Sequence, residues 1–270
     1  MPEGDSYARA ARRVDAVLSG ETIDEVAGSS PTIRRWSDRI LDSRVTGVRS
    51  VGKRLLIALD SGVTISTHLG MSGRVQVGTG RRRPGSETLL LQTASHHVVV
   101  SAARIDTDRT AVIEAGLRRL GPDLLDPQFR AESTRAPVFP KDRSVSELLL
   151  DQRVMAGVGN IFKNETLFLE KINPATPVGR LEPAQIDALI ERARRLLVAN
   201  ASRSGRSTTG LPGPNGRNWV YGRAGLPCRR CGRAIVQQMI GRPPRVTYWC
   251  PGCQPGVPAP GDTLASDLGT

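Results

Sequence analysis

The chain has 270 residues, 39% of them hydrophobic, and a formal net charge of +12. That is enough apolar material for a core and enough length for two to three domains. No run of about 18 uncharged apolar residues is present, and the start is polar and charged, so neither a membrane span nor a secretory leader is expected and the protein should be cytoplasmic.

The first residues read MPEGD. Pro2 is small enough for Met1 to be trimmed, which would leave a free proline amine. A chain-terminal amine titrates near pH 8, so more of it is nucleophilic at neutral pH than of a lysine. A secondary amine can form an iminium ion with a carbonyl or a sugar C1′. A lone MPE also fits a disordered start.

A helix is predicted from Ser6 to about Leu18. Residues 20–125 are rich in Val, Ile and Thr, and RLLIALDSGVTISTHL and HHVVVSA read as strands joined by tight turns. An antiparallel sandwich or barrel should cover residues 1–125. A Gly-Lys turn in VGKRLL sets Lys53 at a strand end. His68, His96 and His97 fall at strand positions and suit structural roles better than a triad or metal site. RRRPG at 81–85 reads as an exposed loop, and 126–137 as a linker.

A helical domain is expected over 138–222. Ser144 and Glu147 make a capping-box pattern before LLL, for a helix ending near Gln152. The glycines of VMAGVGN break it, and Asn160 can cap a second helix running to about Glu170. Exposed backbone N–H groups there could receive a phosphate, with Asn160 as a side-chain donor. The spacing fits an ordinary αα-hairpin equally well. EPAQIDALIERARRLLVAN follows with a 3.6-residue period through Ile186, Leu189, Ala193, Leu196 and Leu197, as a core helix should.

From Ala201 to Gln254 there are nine arginines and no Asp, Glu or Lys. Such a block is the footprint of a polyanionic partner, most simply nucleic acid. Cys228, Cys231, Cys250 and Cys253 are the only cysteines, spaced C-x₂-C, eighteen residues, C-x₂-C. This is zinc-ribbon spacing: two tight turns each supply two corners of a tetrahedron. The residues between read as two short strands turning at GRPP, so 223–254 should be a zinc-bound hairpin. A full Cys₄ set is closed, which makes the metal structural, with one zinc per chain. Arg245 lies near the hairpin tip, suited to a phosphate backbone. Residues 255–270, rich in Pro and Gly, should be a disordered tail.

Together MPEGD, GKRLL, HLGMSG, LGPDLLD, LLLDQRVMAGVGNIFKNETLF, VYGRAGLPCRRCG and RVTYWCPGCQ resemble the formamidopyrimidine-DNA glycosylase/endonuclease VIII family, from residue 2 to about 254. The resemblance implies an α+β multidomain fold: an N-terminal β-sandwich, a helix–two-turns–helix domain and a C-terminal zinc finger. It implies a bifunctional glycosylase/AP lyase of base excision repair, acting as a monomer on damaged DNA at the nucleoid without a redox or nucleotide cofactor. Pro2 would attack C1′ and Glu3 would be the general acid. Lys53 would contact phosphate and assist β-elimination, and Arg245 would assist δ-elimination. Asn160 and Arg119 would hold the DNA backbone. Met71 would fill the space left by the extruded base.

Departures from the family pattern are also visible. Ser6 stands where the family often has Glu, and RIDTDRT carries no recognisable second and third void-filling residues beyond Arg104. Only ten residues, GLPGPNGRNW, separate Thr209 from Val220. That short loop and the PEGD start point to oxidised pyrimidines. An 8-oxoguanine-directed glycosylase and a non-catalytic damaged-DNA-binding protein are the alternatives. A tautomerase using an N-terminal proline would need neither the finger nor the charge.

Overall fold

The computed structural model describes residues 1–256 except 135, 204 and 212. The expected tail therefore lies largely outside the described residues. The chain divides into two compact units, Met1–Leu125 and Asp126–Thr270.

In the first unit, α1 (Gly4–Leu18) turns Tyr7, Ala11, Val14 and Leu18 inward at helical spacing. It starts two residues before the predicted Ser6, because the Glu3 carbonyl accepts from the Ser6 and Tyr7 amides at 2.7 and 3.2 Å. Next come β1 (Glu25–Ala27), α2 (Pro31–Ile40), β2 (Val45–Val51), β3 (Arg54–Leu59) and β4 (Val63–His68). They are followed by β5 (Arg74–Thr79), β6 (Leu89–Gln92), β7 (His96–Ser101), β8 (Arg104–Arg109) and α3 (Thr110–Leu117).

The strands form two four-stranded antiparallel sheets, ordered β1-β6-β7-β5 and β2-β3-β4-β8. Leu55, Ile57 and Ile65 of one sheet meet Leu89, Leu91, Val98 and Val100 of the other in one core, which α1 also enters. This is the expected sandwich with its flanking helix. The two further helices were not expected. In α2, Pro31 occupies the first turn, where its missing N–H costs nothing, and Ile33 and Ile40 are buried. In α3 no residue is buried, so its sequence carries no helical stripe.

The second unit contains α4 (Val145–Leu150), α5 (Asn160–Leu169), α6 (Pro183–Ala201) and the antiparallel hairpin β9 (Val236–Ile240) and β10 (Arg245–Trp249). The Ser144–Glu147 capping box is formed, and α4 stops two residues before the predicted Gln152. Gly159, in extended conformation, is the residue preceding α5, and Asn160 is its first helical residue. Asn160 is therefore not the cap, because its side chain is directed to the hairpin. In α6, Ile186, Leu189, Ala193 and Leu197 are buried as the period requires, whereas Leu196 is only half-buried.

Candidate active site and nucleic-acid interface

In the first unit the chain start is built into the fold. Pro2 is half-buried and Glu3 has no exposed surface. Both lie at the amino end of α1, where the unpaired N–H groups and the helix dipole make the surroundings positive. Asp5, also fully buried, is held by Arg9 at 2.9 Å, and the Ser6 hydroxyl lies 3.2 Å from the same guanidinium.

Lys53 sits on the two-residue turn between β2 and β3, half-buried. Gly52 before it has φ +55°, which glycine adopts without strain and which suits the first position of a type II′ hairpin turn. The Gly52 amide donates to Asp123 Oδ2 at 2.7 Å, and the Leu125 amide donates to Asp123 Oδ1 at 2.9 Å. Asp123, from LGPDLLD, thus staples the turn that carries Lys53. No local sequence pattern marks it for that role, because 71 residues separate the partners.

Positive charge collects at this end of the sheet. Arg104 faces His68 across β8 and β4. Burial holds the His68 imidazole below its ordinary value, and Arg54, Lys53 and Arg104 push it the same way. Asp106 bridges Arg54 at 3.6 Å and Arg104 at 3.5 Å. Met71, in the loop after His68, is 76% exposed. Arg119 is exposed in the turn after α3.

In the second unit, α5 is a polar dock for the hairpin. Asn160 Nδ2 donates to the Val246 carbonyl at 2.8 Å, directly beside Arg245. The buried Lys163 ammonium donates to Thr247 Oγ1 at 2.7 Å. Asn164 Oδ1 accepts from the Tyr248 amide at 2.9 Å. Glu165, with no exposed surface, accepts from the Trp219, Val220 and Tyr221 amides at 2.7, 2.9 and 2.9 Å and from the Thr208 hydroxyl. Burial pushes its carboxyl above the ordinary range, and those four donors pull the other way. Residues 160–165 thereby fix two segments more than 40 residues downstream. Arg245 opens β10 opposite Ile240 and is exposed at the tip.

The four cysteines converge with no disulfide among them. Their sulfurs all lie within 4.8 Å of one another, with Cys228–Cys253 at 3.8 Å and Cys231–Cys250 at 3.4 Å. A tetrahedral ion with bonds of about 2.3 Å to sulfur needs sulfur–sulfur separations of about 3.8 Å. The set therefore fits a metal ion. The Arg233 amide, first among several hydrogen bonds, holds the Cys231 thiol down to about 7.

No helix among the described residues is long and apolar enough to cross a membrane.

Comparison with known proteins places these features in a class. The formamidopyrimidine-DNA glycosylase N-terminal domain matches residues 1–121, and the formamidopyrimidine-DNA glycosylase H2TH domain matches residues 120–211. The chain belongs to the formamidopyrimidine-DNA glycosylase family. Within it, the chain is 40% identical to the DNA-(apurinic or apyrimidinic site) lyase Nei2 of Mycolicibacterium smegmatis, over 94% of this chain and 99% of the relative. It is 33% identical to endonuclease 8 of Klebsiella pneumoniae, over 94% of this chain and all of the relative. The Lactococcus lactis Fpg in complex with DNA containing an oxidised pyrimidine shares the fold, with a TM-score of 0.81 at 23% identity, over 94% of this chain and all of that one.

Proposed function

We propose that this chain is a bifunctional DNA glycosylase/AP lyase of base excision repair that removes oxidised pyrimidines through an imine between Pro2 and the sugar. Its relatives are named for endonuclease 8 and AP-lyase activity. The single observation that carries the mechanism is the placement of Pro2 and the fully buried Glu3 at the amino end of α1. With Met1 removed, the positive helix end disfavours protonation of the Pro2 amine and keeps more of it nucleophilic.

The Pro2 nitrogen attacks C1′ as the C1′–base bond breaks; the base leaves with its electron pair and takes up the proton that the Pro2 nitrogen loses. Glu3 gives a proton to the sugar ring oxygen, so the ring opens to an iminium between Pro2 and C1′. The iminium acidifies the 2′ hydrogen. Loss of that proton expels the 3′ phosphate by β-elimination, and a second elimination expels the 5′ phosphate. Lys53 holds phosphate charge during the first elimination and Arg245 during the second. Asn160 and Arg119 hold the DNA backbone, and Met71 fills the space left by the rotated base. Zinc is the ion we assign to Cys228, Cys231, Cys250 and Cys253. Bound there it would cross-link the hairpin and supply no reactive water, because all four positions are thiolates. The ten-residue stretch between Thr209 and Val220 and the PEGD start support pyrimidine over purine lesions.

Excision from duplexes carrying 5-hydroxyuracil, thymine glycol or 8-oxoguanine tests the reading. The pyrimidine lesions should be released faster, and Pro2→Gly and Glu3→Gln should lose release while keeping DNA binding. Faster release of 8-oxoguanine would overturn the lesion class. Damage-selective binding without excision by the wild type would favour the binding-only alternative.

A further inference from the structure

The loop His68–Gly73, read HLGMSG, is tied at three points. The Leu69 amide donates to the Tyr7 hydroxyl oxygen at 2.7 Å, in a buried contact. The Gly70 amide donates to His68 Nδ1 at 3.2 Å. The Gly73 amide returns to the Leu69 carbonyl at 2.8 Å. The closure is tight: a Cβ on Gly73 would stand 2.3 Å from the Leu69 oxygen, and Gly70 has φ +57°. What remains outside the closure is Met71, held out into solvent although methionine ordinarily packs inside.

Tyr7 is the long-range anchor of the three. It is 1% exposed and sits one helical turn after Glu3, whose carbonyl accepts the Tyr7 amide at 3.2 Å. Its ring lies 6.3 Å from that of His68. Burial pushes the phenol up to about 12, so the hydroxyl stays neutral at any working pH. One side chain therefore joins the helical turn that begins at Pro2–Glu3 to the loop that presents Met71. The two segments are 62 residues apart in sequence.

We infer that Tyr7 is a positioning residue, whose hydroxyl fixes Leu69 and so aims Met71 relative to the Pro2–Glu3 nucleophile and acid. This rests on the reading of Met71 as the residue that fills the vacated base position. A rigid link of this kind makes base extrusion and attack on the sugar share one geometry. A displacement of about 1 Å in a reacting assembly costs up to about a hundredfold in rate.

The test compares Tyr7→Phe, Met71→Ala and the double variant with the wild type. Two single-turnover rates are measured for each: excision of 5-hydroxyuracil from a duplex, which needs extrusion, and cleavage of a single-stranded abasic site, which does not. The ratio of the two should fall about tenfold in both single variants, and the double variant should fall no further than Met71→Ala. An equal fall on both substrates in Tyr7→Phe would show a merely structural role and overturn the proposal. So would a wild-type ratio in Tyr7→Phe beside a lowered ratio in Met71→Ala. A wild-type ratio in Met71→Ala overturns the Met71 reading itself, a result separable from the other two. Cleavage of the single strand shows in the same experiment that Tyr7→Phe is folded.

Discussion

Ile57, Ile65, Leu91 and Val98 fill the centre of the first unit, where β-branched and leucine side chains from two sheets interdigitate without a polar partner. At the centre of the second unit stand Lys163, Asn164, Glu165 and Thr166, four consecutive residues with no exposed surface. Burying such groups is unfavourable unless each finds a hydrogen-bond partner. Lys163, Asn164 and Glu165 find theirs in the hairpin and in the segment leading to it. The first unit is thus a shape-filling core, tolerant of conservative apolar exchange. The second unit adds to its own apolar core, with Leu148, Phe162, Leu189 and Leu197 buried, a directional lattice in which losing one partner strands the others. This difference suits the proposed roles, since a phosphate-gripping finger must be held at a fixed angle more than it must be packed.

The two units should differ most in their response to loss of the cysteine cluster. A structural zinc contributes apparent free energies of about 10–16 kcal/mol in finger peptides. Chelation, or Cys250→Ser, should abolish the second unit's cooperative transition in calorimetry and weaken DNA binding, while the first unit's transition stays in place. Unchanged affinity after verified metal loss would contradict this.

A smaller break removes Glu165. Glu165→Ala leaves three backbone amides without their acceptor, and the expected cost is about 3–5 kcal/mol, confined to the second unit. Ile57→Ala should cost about 2–5 kcal/mol, confined to the first, whereas Ile57→Val should cost only about 1 kcal/mol. Equal sensitivity of the two units to conservative exchange would erase the contrast.

A pH-dependent test sharpens it further. Burial pushes Glu147 upward, but Arg143, the Ser144 and Arg242 amides and the Ser144 hydroxyl together outweigh it and hold the carboxyl below its ordinary 4.5. Its contribution to stability is therefore full above that value and is lost as pH falls through the lower folded one. Wild type and Glu147→Gln should differ near neutrality and converge in acid, read from the second unit's transition. A stability effect as small as that of Ile57→Val is expected at Asp123. Asp123→Ala should cost about 1 kcal/mol in the first unit and slow strand cleavage more than base release, because it frees the turn under Lys53.

What the sequence showed and what it hid follow one rule. Signals that repeat locally were legible: the strands of the sandwich, the capping box at Ser144 and Glu147, the α6 stripe and the paired cysteines. Elements with a sparse stripe or none were not. α3 buries no residue, and α2 turns only Ile33, Trp36 and Ile40 inward among polar residues, three positions at helical spacing that do not stand out within a Val-, Ile- and Thr-rich stretch. Asn160 looked like a helix cap because the motif GN precedes an apolar run. A tertiary partner 86 residues away, the Val246 carbonyl, takes its amide instead. The same holds for the site. The MPEGD start and the Gly-Lys turn could be read as pieces. Their supports, Asp123 under the turn and Tyr7 under the Met71 loop, depend on pairings that no local pattern encodes.

The measurement closest to the central claim is borohydride trapping of the imine. Protein with Met1 removal verified by mass is incubated with duplexes bearing 5-hydroxyuracil or an abasic site, and borohydride is added. A covalent protein–DNA adduct is expected with both, and in Pro2→Gly it should vanish with the 5-hydroxyuracil duplex, where the base must first be displaced. An undiminished adduct with the 5-hydroxyuracil duplex in Pro2→Gly, or none from the wild type even on the abasic duplex, would contradict the assignment of Pro2 as the nucleophile.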